Sequence, residues 1–195
     1  MNKGDKILCS TDFLDLVERE NMVGVVPKFS NVVILPFVSD DEGLPLLIGV
    51  LKEYNVFREG GYSISPITGS SDEEDPNFLD TAKRELMEES GYDVQDSDRW
   101  YFLGNAISSK FVDHEQPCFA VDVSDIERGK PQTDGSKQES LSEFVFIPAN
   151  DVVKCKDVFI PALFLKLFKY VLGMDVQDSS TDFEFGAEKS SDLES

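Results

Sequence analysis

Residues 76–90 narrow most sharply what this chain can fold into, because they form one amphipathic helix set between runs of strand. Leu79, Ala82 and Leu86 recur at helical spacing. Asp75 is the expected N-cap, Pro76 suits the first helical position, and Gly91 ends the helix. Upstream, residues 31–38 (NVVILPFV) and 44–54 (LPLLIGVLKEY) flank the turn Asp40-Asp41-Glu42-Gly43 and read as a hairpin. Residues 62–67 are a short extended stretch in which Pro66 marks an edge or a strand end. Downstream come strands at 100–107, 118–123 and 143–148, then a last helix over about 161–172 with Leu163, Leu165, Leu167 and Val171. Strands, helix, strands and helix give an α/β or α+β class: one domain with a mixed sheet packed between helices.

The first thirty residues are irregular in pattern, apart from a short amphipathic element around Phe13, Leu14, Leu16 and Val17. Residues 31–174 form the expected domain, and 175–195 read as a disordered acidic tail, Ser- and Asp-rich with little apolar content. With 195 residues the chain has enough length for one full core.

The net charge of −20 excludes some partners. Seven acidic residues against one lysine give the tail −6 and leave −14 on the rest. Such a surface repels nucleic-acid phosphate and anionic lipid, so no long nucleic acid and no membrane is expected as a partner. A small phosphate compound stays compatible where bound cations invert the local field. Cys9, Cys118 and Cys155 are odd in number and lack CxxC spacing, and His114 is the single histidine, so a Cys/His zinc site is excluded. Those thiols suit a reduced, cytoplasmic protein. The opening MNKGDKILCSTDFLDLVEREN has no apolar core of the signal-peptide kind, and no run approaches a membrane span.

The segment carrying chemistry is Arg84-Glu85-Leu86-Met87-Glu88-Glu89-Ser90-Gly91-Tyr92. On a helix Glu85, Glu88 and Glu89 fall at i, i+3 and i+4 and crowd one face. Like charges at that spacing repel, and a hard divalent cation reverses the sign: Mg²⁺ takes carboxylate oxygens and keeps waters for a phosphate to replace. Arg84 can pair with a carboxylate of the cluster and fix its rotamer. In a chain with 38 acidic residues a solvated acidic face is the competing reading. Against it stand the apolar face expected opposite, the preceding Arg and the terminating Gly.

Arg84 to Tyr92 resembles the second half of the Nudix box, GX5EX7REUXEEXGU, with Tyr92 at the final aliphatic position. The first half departs from it. Gly69 stands for the leading glycine, but fourteen residues separate it from Arg84 where the pattern has thirteen. The intermediate glutamate would fall on Pro76, and Glu74 is the expected substitute. In order and spacing, the strand at 31–38, the hairpin to Lys52-Glu53-Tyr54, the approach Pro66-Ile67-Thr68-Gly69 and the strand at 143–148 resemble the ADP-ribose pyrophosphatase branch. So does Ser109-Lys-Phe-Val-Asp-His-Glu115, similar to the branch's loop after the box, where a glutamate serves as base or extra metal ligand. The resemblance covers about residues 30–172. Two features depart from the branch: Asn55 stands where an arginine often ends the second strand, with Arg58 three residues on, and Ser108-Ser109 replace the usual loop proline.

The resemblance implies a Nudix-type mixed sheet between helices and Mg²⁺-dependent hydrolysis of a nucleoside-diphosphate linkage, ADP-ribose to AMP and ribose 5-phosphate first. It implies Glu85, Glu88, Glu89 and the Thr68 carbonyl as ligands for Mg²⁺ or Mn²⁺. Arg84, Glu88 and Glu115 are the catalytic candidates, Glu115 as general base, although an exposed loop glutamate is an equal reading of that position. Gly69, Arg58, Lys52 and Phe111 are candidates for substrate contact, Phe111 by stacking on a base. His114 reads as a surface histidine with no assigned role. Branch members are commonly homodimers, and residues 1–30 are long enough to contribute. The alternatives are another substrate (NADH, a nucleotide sugar, a dinucleoside polyphosphate) and a non-catalytic nucleotide sensor.

Overall fold

The computed structural model describes residues 5–72, 74–132 and 142–174. Strands β4 (Asn31–Ser39) and β5 (Pro45–Tyr54) form the expected hairpin. Its turn is closed by the Asp40 carboxylate, which accepts from the Glu42 and Leu44 N–H groups at 2.9 Å each. The pair then splays. Directly paired residues run only from Phe37 and Ile48 to the turn, and two short strands fill the opening. β6 (Tyr62–Ser65) pairs with the end of β5, and β7 (Ile67–Ser70) with the start of β4. Pro66 therefore divides the extended stretch into strands with different partners. A proline has no N–H for a ladder, so the switch occurs where no bond is lost.

β8 (Trp100–Ala106), β9 (Gln116–Asp122) and β10 (Glu143–Pro148) complete the sheet in the order β10-β5-β4-β9-β8, with β9 parallel to β4. The last helix, α2, spans Phe159–Val171, two residues earlier than its expected start. Along β4 the side chains alternate: Val32 and Ile34 pack toward helix α1 (Phe78–Ser90), Val33, Leu35 and Phe37 toward α2, and none is more than 1% exposed. Ala82 and Leu86 close the first layer, and Ile160, Leu163 and Leu167 the second. The mixed sheet between helices is thus the observed architecture.

Two expectations are corrected. Asp75 is not the N-cap of α1. Asn77 takes that place, its side-chain carbonyl accepting from the Leu79 and Asp80 N–H groups at 2.9 and 3.1 Å, and Pro76 precedes the helix instead of opening it. The N-terminal segment is not irregular either. β1 (Lys6–Ser10), β2 (Leu14–Arg19) and β3 (Met22–Pro27) make a three-stranded antiparallel sheet. Its β2–β3 turn is Glu20-Asn21, both with positive φ (50° and 65°), the conformation that matches strand twist in a two-residue hairpin. The pattern misled because β2 buries Asp15 beside Val17 and leaves Leu14 outward. Asp15 is tolerated there because the Ser10 hydroxyl donates to it at 2.6 Å and Lys28 lies at 3.3 Å. The tail at 175–195 lies outside the described residues. No helix among the described residues is long and apolar enough to cross a membrane.

Leu86 is fully buried between α1 and the sheet. Leu86→Ala should remove about 2–5 kcal/mol of stability by transfer loss and cavity formation, read as a lower urea midpoint at unchanged slope.

Candidate active site

The carboxylates of α1 do not lie opposite its apolar face, as the sequence suggested; they flank it. At about 100° per residue, Glu89 falls within about 20° of Ala82 and Glu85 within about 60°. Glu85 is accordingly turned inward, its side chain only 12% exposed, and Glu89 has one oxygen fully enclosed. Glu88, farther round, is 39% exposed. What admits Glu85 beneath β7 is Gly69. A Cβ there would stand 1.8 Å from the Glu85 Cδ, so no other residue fits without expelling the carboxylate.

Arg84 organises the cluster. Its Nη1 donates to Glu85 Oε1 at 2.9 Å and to Glu88 Oε2 at 3.0 Å. Its Nη2 donates to the Ser70 carbonyl at 2.8 Å and to Asp75 Oδ2 at 3.0 Å, and Nε reaches Asp75 Oδ1 at 3.4 Å. These use the five N–H donors of a guanidinium and tie helix, β7 and the loop between them to one group. Asp72 adds a longer ion pair at 3.7 Å. Asp75 is thus the acidic partner of Arg84 in this loop, and Glu74, the expected substitute for the intermediate glutamate, is exposed in the preceding turn. Asp75 is nearly buried and also accepts from the Asp72 N–H, and the Arg84 guanidinium lowers its pKa against the opposing pull of burial.

Burial pushes the Glu85 carboxyl up to about 7, against the lowering effect of Arg84 and with added repulsion from Glu88 and Asp72. Among the described residues no three His, Cys, Asp or Glu groups already converge as a metal cage. Here the guanidinium Nη1 is the positive group to which Glu85 and Glu88 are held.

The other candidates are distributed unevenly. Thr68 and Gly69 lie on β7 against α1, with Val33 of β4 paired to Thr68 on one side and to Cys118 of β9 on the other. Glu115 immediately precedes β9 and is exposed; Asn105 Nδ2 donates to it at 3.2 Å. By strand alternation with Phe119 it is on the α1 side of the sheet. Phe111 is in the loop before β9, half exposed, with Lys110 Nζ 4.9 Å from its ring centre. Lys52 alternates with Leu51 and so faces α2, its Nζ 5.3 Å from the Tyr62 ring centre. Arg58 is exposed in the β5–β6 turn. The structure does not bring Lys52 to the carboxylates.

His114, given no role from sequence, accepts the Asn31 N–H on Nε2 at 3.3 Å and so fastens the loop end to the start of β4. The single signal for it was its place beside Glu115.

No protein-family model matches the sequence, and no curated protein matches it. Solved structures do. One is the crystal structure of an ADP compounds hydrolase, 17% identical, covering 88% of this chain and 96% of that one, with a TM-score of 0.58. Another is a protein of Listeria monocytogenes assigned as a Nudix hydrolase, 19% identical, covering 75% of this chain and 96% of that one, with a TM-score of 0.55. The chain therefore has the Nudix fold.

The raised Glu85 pKa gives a signed prediction. Below about pH 4.5 the carboxyl is protonated in both states; between 4.5 and about 7 the folded protein keeps a proton that the unfolded chain releases. Metal-free protein should thus lose stability as pH rises through that window, and Glu85→Gln should lack that loss. Urea titrations at stepped pH check it, and parallel profiles for the two proteins would refute it.

Proposed function

We propose that this chain is a Mg²⁺-dependent Nudix hydrolase cutting the diphosphate of a nucleoside diphosphate joined to a second moiety, ADP-ribose first among substrates. The observation that carries the reading is the carboxylate pair of α1 held by Arg84, with Glu85 buried beneath Gly69. A merely solvated acidic face has no reason to bury Glu85 at a raised pKa or to require glycine above it. The solved neighbour described as an ADP compounds hydrolase supports the substrate class.

The donor set fits a hard divalent ion. Glu85, Glu88 and Glu89 offer only oxygen, the Thr68 carbonyl is of the same kind, and a second positive charge would relieve the burial of Glu85. When bound, Mg²⁺ (or Mn²⁺ in its place) supplies charge neutralisation of the diphosphate and a lowered pKa for water. The protein's own groups do the rest. Arg84 fixes Glu85 and Glu88 in single orientations, so their placement is set before substrate arrives. Gly69 keeps the space above Glu85 free of side chain. Glu115 accepts the proton of the attacking water as its oxygen bonds to phosphorus and the bridging P–O bond breaks, giving AMP and ribose 5-phosphate. Phe111 is the aromatic candidate for base stacking, and Arg58 the cation free to meet phosphate. The cysteines are free thiols, which suits the reducing cytoplasm.

Incubation with ADP-ribose and MgCl₂, with AMP followed by chromatography, tests the assignment. Wild type should release AMP, EDTA should abolish it, and Glu89→Gln should slow it by orders of magnitude. Near-normal turnover by Glu89→Gln would sink the metal assignment. Intact substrate across ADP-ribose, NADH, nucleotide sugars and dinucleoside polyphosphates would leave a sensor as the reading.

We also assign a homodimer. Ile7, Leu8, Phe13, Met22 and Val23 of the N-terminal sheet are each more than 40% exposed, more apolar surface than a small sheet ordinarily leaves in water. Light scattering should give twice the chain mass, and Phe13→Asp should lower it; a clean monomer at high concentration would reject the dimer.

A further inference from the structure

The loop carrying Glu115 has little packing of its own to hold it. Ile107 is 62% exposed and Phe111 50%, so its apolar side chains bury little against the domain. What fixes it is the N-terminal sheet. Strand β3 presents its free edge to the loop: the Val25 N–H donates to the Phe111 carbonyl at 2.7 Å, and the Asp113 N–H donates to the Val25 carbonyl at 2.9 Å. Val25 and Val112 form a parallel bridge, so the loop is a partial fourth strand of that sheet. Gly24 permits the approach, because a Cβ there would lie 3.0 Å from the Phe111 carbonyl oxygen. Arg19 of β2 adds an ion pair to Asp113 at 2.9 Å, while its Nε holds Asp5 at 2.7 Å. One residue further, His114 is bonded to the Asn31 N–H, and Glu115 follows.

We infer that the N-terminal sheet is a positioning element for Glu115: β3, through Val25, sets the height and angle at which the loop delivers that carboxylate to the α1 side of the main sheet. The inference rests on the assignment of Glu115 above. Both polar backbone groups of Val25 point to the loop, so Val25 lends no bond to β2, and the β2–β3 hairpin does not depend on the coupling. The N-terminal segment and the site are thereby mechanically joined, although no side chain of residues 5–27 need touch substrate.

Val25→Pro is the direct test, since it deletes the N–H given to Phe111 and no bond of the β2–β3 ladder. Two readouts are taken on the full chain. Hydrogen exchange of residues 107–115 should accelerate by about tenfold or more while that of α1 stays unchanged. With ADP-ribose, kcat should fall by about tenfold to a hundredfold at nearly constant KM, as expected when a catalytic group is misplaced by a fraction of an ångström to an ångström. In a Glu115→Gln background the same substitution should cost little more, because both changes act on one group. Unchanged exchange overturns the coupling, and multiplicative losses overturn its action through Glu115. Should wild type hydrolyse nothing, exchange still decides the coupling, so failure of the functional assignment is read separately. If Val25→Pro lowers the melting temperature of the whole domain, Gly24→Ala, whose added Cβ meets only the Phe111 carbonyl group, replaces it with the same expected outcomes.

Discussion

The Arg84 guanidinium is the interaction on which the site depends. Three acidic groups, Asp75, Glu85 and Glu88, and the Ser70 carbonyl meet at one cation. Without it, two partly buried carboxylates one helical turn apart would repel, and the Ser70 carbonyl and Asp75 would lose their bonds to residue 84 of α1. With it, β7, the loop and the helix are fixed relative to one another by charge-assisted bonds, which are stronger than neutral ones. The arrangement still leaves Glu85 with a raised pKa, because burial outweighs the lowering effect of Arg84.

That arrangement is possible only because the sheet is split. β4 and β5 pair near their turn and then separate, letting β6 and β7 enter between them. β7 thus lies against α1, where Gly69 and Glu85 come into contact. The α2 side of the sheet, by contrast, is a conventional apolar layer and supplies no group to the carboxylates. One face carries the clustered carboxylates and the other is apolar packing.

The N-terminal sheet belongs to the first of these. Its outer side leaves apolar residues in solvent, while the β3 edge is consumed by the loop before β9. A free strand edge exposes unpaired N–H and C=O groups that invite association. Here part of that edge is satisfied within the chain, and the segment satisfying it leads to Glu115.

The existence of helix α1, though not its first residues, the hairpin before it, the strands and helix after it, and the acidic triad were all legible in the sequence, because periodicity and turn residues act locally. The charge spacing of Glu85, Glu88 and Glu89 likewise follows from helical geometry alone. Four things were not legible: Asp75 meets Arg84, the carboxylates flank the buried face, the first thirty residues form a sheet, and Lys52 faces α2. Each turns on how separate segments meet. A one-residue change in loop length, a buried Asp15 neutralised by Ser10 and Lys28, or a strand pairing with a distant loop leaves no periodic trace. The sequence by itself determined the elements and the charges they carry, through bonds between near neighbours. Tertiary structure alone decided which charges are buried together, because burial and pairing are set by residues far apart in the chain.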